Sequence, residues 1–103
     1  MQTHRKRRIE IIIEAPLQKR LVDLLNRHAV KGYTVLPAAA GGGLETTWHR
    51  EGQVSVAGQM IMVVCIVDPE QADEIVEAVY GMLSRHHGIV SLSDVEVIRR
   101  ERF

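Results

Sequence analysis

The chain has 103 residues and carries 13 basic against 13 acidic side chains, so it is formally neutral at pH 7. At 46% hydrophobic and 25% charged it fits one folded domain, too apolar for disorder and too balanced in charge for a polycation that wraps nucleic acid. A single cysteine excludes an internal disulfide, and an aromatic content of 4% is thin for stacking on bases. No stretch approaches the roughly 20 apolar residues of a membrane span, and no signal peptide precedes the first strand pattern. The expected location is the cytoplasm, without direct membrane insertion.

In chain order, "RRIEIIIE" (7–14) alternates with Ile9, Ile11 and Ile13 on one face and reads as a strand. Pro16 suits the first turn of a helix, where a missing N–H is harmless. Leu17, Leu21, Leu24, Leu25 and His28 follow with helical spacing, and Gly32 is the expected stop. "YTVLPA" reads as a second strand, at a sheet edge because Pro37 cannot donate to a ladder. "QMIMVVCIV" is a third, apolar at every position after Gln59. Asp68 then stands at a helix N-cap with Pro69 in the first turn and Gln71 at capping-box spacing. Ala72, Ile75, Val76, Val79, Tyr80 and Leu83 form the predicted buried stripe, with Gly88 as terminator. "IVSLSDVEVI" is the last strand, and its broken alternation predicts a bulge near Ser93.

The order βαββαβ predicts an α+β, ferredoxin-like sandwich, with both helices on one face of a four-stranded sheet, spanning residues 1–103 as a single domain. The third strand is apolar on both faces, and two helices cover only one of them. Burying the other requires a second surface, most simply another copy of the chain. The sequence therefore predicts a homo-oligomer.

Between the second and third strands lie about 20 residues without periodicity, a length that in a compact domain is usually functional or disordered. Gly41, Gly42 and Gly43 permit close backbone approach and can cradle an anion; a plain hinge is the blander reading. Trp48, His49, Arg50 and Glu51 are candidate contact residues in this loop. Basic runs open and close the chain, "HRKRR" (4–8) and "RRERF" (99–103). They read either as solvated strand ends or as an anion site where the two ends meet. His86 and His87 are adjacent and so project apart, which is poor metal-ligand spacing, and no metal is expected. His28 closes an apolar stripe and reads as structural. Cys65 sits inside a strand as a small buried hydrophobe. Glu70 with Glu74, and Asp73 with Glu77, read as a solvated helix face. No nucleophile, acid and base set emerges, so no enzyme is expected.

Three segments together resemble the PII signalling proteins over nearly the whole chain: "EAPLQKRLVDLLNRHAVKGYTV", "GYTVLPAAAGGG" and "VDPEQADEIVEAV". The resemblance implies a homotrimer with adenine nucleotides in the clefts between subunits and a T-loop, here 40–58, that engages a transporter or enzyme. Thr34 matches the threonine that faces the adenine, and Gly42 a glycine at the T-loop base near the phosphates. The implied nucleotide cleft comprises Thr34, Gly41, Gly42, Gly43, His87, Gly88, Ile89 and the arginines Arg99, Arg100 and Arg102. The T-loop lacks the tyrosine uridylylated in nitrogen-regulating members, the B-loop is cut to "RHHGIV", and Gln59 and Met60 replace the lysine expected near the start of the third strand. In these respects the chain resembles the PII-like branch of inorganic-carbon uptake and carboxysome gene neighbourhoods. That branch implies ADP or AMP, with ATP as a further candidate, and bicarbonate as co-ligand; no cofactor is required. Gly58, Gln59 and Arg50 are the candidate bicarbonate residues. A nitrogen-regulatory PII-type sensor and a divalent-cation-tolerance trimer of similar fold are the alternatives.

Overall fold

The computed structural model describes residues 1–42, 47–49, 59–99 and 101, with residues 47–49 described through their backbone alone. Strand β1 (His4–Glu14) leads through a 3₁₀ turn (Ala15–Leu17) into helix α1 (Gln18–Arg27). Then come β2 (Tyr33–Pro37), two short strands β3 (Ala40–Gly42) and β4 (Thr47–His49), β5 (Met60–Val67), helix α2 (Pro69–Leu83) and β6 (Gly88–Val97). The main sheet is antiparallel, in the order β2-β5-β1-β6, with β2 at an edge as Pro37 requires. This is the ferredoxin-like arrangement. An addition to it is the β3–β4 ladder, inside the segment expected to lack periodicity.

Strand alternation sets the core. Ile9, Ile11 and Ile13 lie opposite Cys65, Val63 and Ile61, and all six are buried under the helices. From α1 come Leu21, Leu24 and Leu25, and from α2 Ala72, Ile75, Val79 and Leu83. Burying each large aliphatic side chain contributes about 1.5–3 kcal/mol, so this layer supplies most of the drive to fold. The opposite face carries Ile12, Met62, Val64, Ile66, Leu36 and Ile89 in the same registers, and no element among the described residues covers it. Leu36 is 42% exposed and Ile89 59%.

Five local expectations are corrected. The β1–β6 register runs unbroken from His4↔Val97 to Ile13↔Gly88, so there is no bulge at Ser93. The alternation breaks because Asp94 and Glu96 fall on the helix side, where they meet Arg7 and Arg5 rather than core. Tyr80 is 72% exposed, because its flank of α2 turns past the sheet. Helix α1 stops before Gly32: Ala29 adopts φ 57°, its N–H bonds to Asn26 O, and the Val30 N–H bonds to Leu25 O. This paired pattern is a Schellman close made at an alanine. Gly88 is not a helix terminator but the first residue of β6. A Cβ there would lie 3.0 Å from Leu83 Cδ1 and 3.2 Å from the Ile12 carbonyl oxygen, so a side chain at this position would crowd the close approach of β6 to Leu83 and β1.

The fifth correction concerns Asp68. It occupies the N-cap with extended backbone (φ −64°, ψ 144°), yet its side chain makes no capping bond. Its carboxylate instead accepts a charge-assisted hydrogen bond from Lys6 Nζ. Lys6 is only 9% exposed, and burying an ammonium without a counter-ion costs several kcal/mol, so the ion pair outcompetes the cap. Losing a cap alone costs about 1 kcal/mol, whereas stranding Lys6 should cost more. Asp68→Ala is accordingly expected to destabilise by about 2–3 kcal/mol, and Lys6→Met in the same chain to recover most of it. Urea denaturation of both variants checks this. A double variant as unstable as the single one would show that Asp68 acts on the helix and not on Lys6.

Candidate functional site

The ends of the sheet organise the site. At one end β1 finishes, β5 and β6 begin, and the β3–β4 ladder starts three residues after β2. Beyond Pro37 the Ala38 N–H still reaches Met60 O at 3.0 Å, and the Ala15 N–H donates to Gln59 O at 2.8 Å. These bonds tie the start of β5 to β1 and to the end of β2. Gly41 and Gly42 pair with Trp48 and Thr47, so two of the three glycines have ladder geometry. His87, Gly88 and Ile89 come to the same end, where β6 meets the close of β1. Thus Gly41, Gly42, Gln59, His87, Gly88 and Ile89 belong to one region.

Arg99 belongs to the other. It follows β6 by two residues, is exposed, and its Nε lies 3.6 Å from Glu101 Oε1. Strand β6 spans ten residues, so its ends lie about 30 Å apart. That exceeds the length of a nucleoside diphosphate. One chain cannot bring Arg99 and Gly88 to the same ligand.

Thr34 sits between these regions, exposed near the start of β2 and opposite Val64. With Gly32, Tyr33, Val64, Cys65 and Ile66 it lines a cleft of about 250 Å³ at the sheet edge. Only register places Val64 and Ile66 beside Thr34; they are site-lining residues that spacing alone does not single out. Gly43, Arg50, Glu51, Gly58, Arg100 and Arg102 lie outside the described residues. Of the candidate bicarbonate residues, only Gln59 is described.

The two chain ends do meet, as β1 and β6 are neighbours, but acids answer the bases there. Arg7 is bonded to Asp94 at 2.6 Å, Lys6 to Asp68, and Thr3 Oγ1 donates to Glu96 at 2.8 Å. Arg8 is bonded to Glu10 at 2.6 Å. The N-terminal basic run is therefore largely neutralised within the chain. Among the described residues no group of three or more His, Cys, Asp or Glu could hold a metal ion, and no helix is long and apolar enough to cross a membrane.

The described residues form an α+β sandwich that leaves one apolar sheet face uncovered and divides the candidate site residues between its two ends. Residues 6–102 match the family described as Nitrogen regulatory protein P-II, and the chain belongs to that family. None of the curated proteins compared matches it. Among solved structures, CPII, a nitrogen regulatory PII-like protein from Thiomonas intermedia K12 bound to ADP, AMP and bicarbonate, is similar at a TM-score of 0.92 and 26% identity, over 99% of this chain and 96% of that one. The apo form of CPII gives 0.74 at 27% identity, over 93% and 95%. A protein from Thermus thermophilus described as a putative PII-like signaling protein gives 0.84 at 29%, over 100% and 99%.

Burial pushes the Cys65 thiol in the cleft wall from an ordinary 9.0 up to about 11. A raised folded-state value means that the associated stability is complete below about pH 9 and is lost as pH climbs through about 11. The urea midpoint should fall across that window more steeply in the wild type than in Cys65→Ala. At pH 8 the native thiol should react with a bulky disulfide reagent far more slowly than the unfolded chain. Equal rates would contradict a buried Cys65.

Proposed function

We propose that the chain is a PII-type regulator that binds ADP or AMP, and with fewer favourable contacts ATP, in the clefts between subunits of a homotrimer. Bicarbonate is its co-ligand, and residues 40–58 carry the signal to a membrane transporter or carbon-concentrating enzyme of inorganic-carbon uptake. The observation that carries this reading is the division of the candidate residues. Glycine backbone and the 87–89 segment lie at one end of the sheet and Arg99 at the other, with an uncovered apolar face between them. In the proposed trimer the arginine end of one subunit meets the glycine end of the next. Backbone donors then join guanidinium charge, the combination that suits phosphate oxygens. The ligands of CPII, namely ADP, AMP and bicarbonate, support the choice of ligand class.

Charge orders the nucleotides. With His87 and Gly88 in place of a lysine-rich loop, few cations face the terminal phosphate, so a triphosphate gains less here than a diphosphate. A small oxyanion beside Gln59 is repelled by each added phosphate, which again favours ADP or AMP as its companion. No catalytic set accompanies the site among the described residues, and its role is regulatory rather than enzymatic. A cytoplasmic location fits these ligands.

Titration calorimetry at constant pH and ionic strength tests the reading. ADP should bind more tightly with bicarbonate than without, by about 5–150-fold, the range of typical couplings. Gln59→Ala should remove that difference while leaving ADP affinity alone. Arg99→Ala with Arg102→Ala should weaken ADP more than adenosine. ADP affinity indifferent to bicarbonate removes the carbon-sensing part; absence of ADP binding removes the nucleotide part as well.

A further inference from the structure

The helix layer carries a second concavity, on the side away from the apolar sheet face. It is a groove of about 330 Å³ between the helices, walled by Arg20, Asp23, Leu24, Arg27 and His28 of α1 and its C-cap and by Ala78 and Met82 of α2. The α1 residues fall at i, i+3, i+4, i+7 and i+8, one continuous face of the helix, and the α2 residues at i and i+4. Leu24, Ala78 and Met82 form its apolar floor, Leu24 buried and Ala78 and Met82 half-buried.

The charges around this floor are uneven. Asp23 Oδ2 is 3.1 Å from Lys19 Nζ, and Glu74 Oε1 is 3.7 Å from His28 Nδ1, so both bordering acids face a basic side chain of the first helical segment. Among the described residues Arg20 and Arg27 form no ion pair. They stand seven residues apart, two helical turns or about 10.5 Å, on the same flank of α1. The remaining acids of α2, Glu70, Asp73 and Glu77, do not line the groove.

We infer that this groove docks an acidic amphipathic peptide segment of a partner protein. Two carboxylates about 10 Å apart meet Arg20 and Arg27, and an apolar side chain between them seats on Leu24, Ala78 and Met82. A helix bearing Glu at i and i+7 and Leu at i+3 or i+4 has that spacing. Two guanidiniums so far apart suit a segment better than one small anion, which could reach only one of them. Met82 gives the floor a side chain that reshapes around its guest. This surface shares no residue with the cleft at Thr34 and lies on the helix side of the sheet, opposite the apolar face.

The probe is a fluorescein-labelled 14-residue helical peptide with Glu at i and i+7 and Leu at i+3 and i+4, read by fluorescence anisotropy against the full chain. A control peptide carries Gln for both Glu. The acidic peptide should bind saturably, more weakly as salt rises, and at least about tenfold more tightly than the control, the equivalent of one charge-assisted pair. Arg20→Ala with Arg27→Ala should abolish that preference. Ala78→Leu, which fills the groove without changing charge, should weaken both peptides. Each variant should retain native circular dichroism and wild-type ADP affinity. Absence of saturation up to millimolar protein, equal binding of the two peptides, or indifference to Ala78→Leu in a folded chain would each overturn the proposal.

Discussion

The rest of the structure depends on a shortage of cover for the sheet. Strand β5 is apolar at all eight positions, yet the described residues supply a single layer of helices. Half of β5 is satisfied by the helices at Cys65, Val63 and Ile61, and Met62, Val64 and Ile66, with Ile12, Leu36 and Ile89, lie on the other face. An exposed apolar surface of this kind drives association, because removing it from water is favourable whatever the partner's identity. The ion pair of Arg8 with Glu10 sits on that face as well.

The same shortage shapes function. The candidate nucleotide residues lie about 30 Å apart at the two ends of one strand, so under the proposed function a single subunit does not hold the ligand. Association through the open face answers the sheet's need and the site's need together. Under the proposed function, folding, assembly and nucleotide recognition are coupled: whatever loosens the subunit contact also separates the glycine end from the arginine end.

Much of the fold is legible in the sequence because period-two alternation and helix periodicity are local. Ile9, Ile11 and Ile13, the paired faces of β5 and the edge placement of β2 all follow from residues close in sequence. What escapes is set at long range. Lys6 and Asp68 are 62 residues apart, and a short-range capping rule cannot see a buried ammonium waiting across the sheet. Gly88 has the look of a helix stop but answers to the nearby Leu83 side chain and Ile12 carbonyl. The broken alternation at Ser93 comes from the end of the helix layer, not from an extra residue. For the site, resemblance marks Thr34 and the glycines, while their separation from Arg99 needs the sheet register. Arg20 and Arg27 carry no signal in the sequence because helix arginines are ordinarily solvated, and only the placing of α1 beside α2 reveals a groove.

The measurement that bears most directly on this account is the mass of the protein in solution at low micromolar concentration, by sedimentation equilibrium without added nucleotide. Burial of the open face through a threefold assembly predicts a species of three times the 11.6 kDa chain mass. That species should dissociate when Met62, at the centre of the face, is replaced by Asp. A wild-type protein that sediments as a single folded chain would contradict it, for the apolar face would then be stable in water and the split site would have no second half.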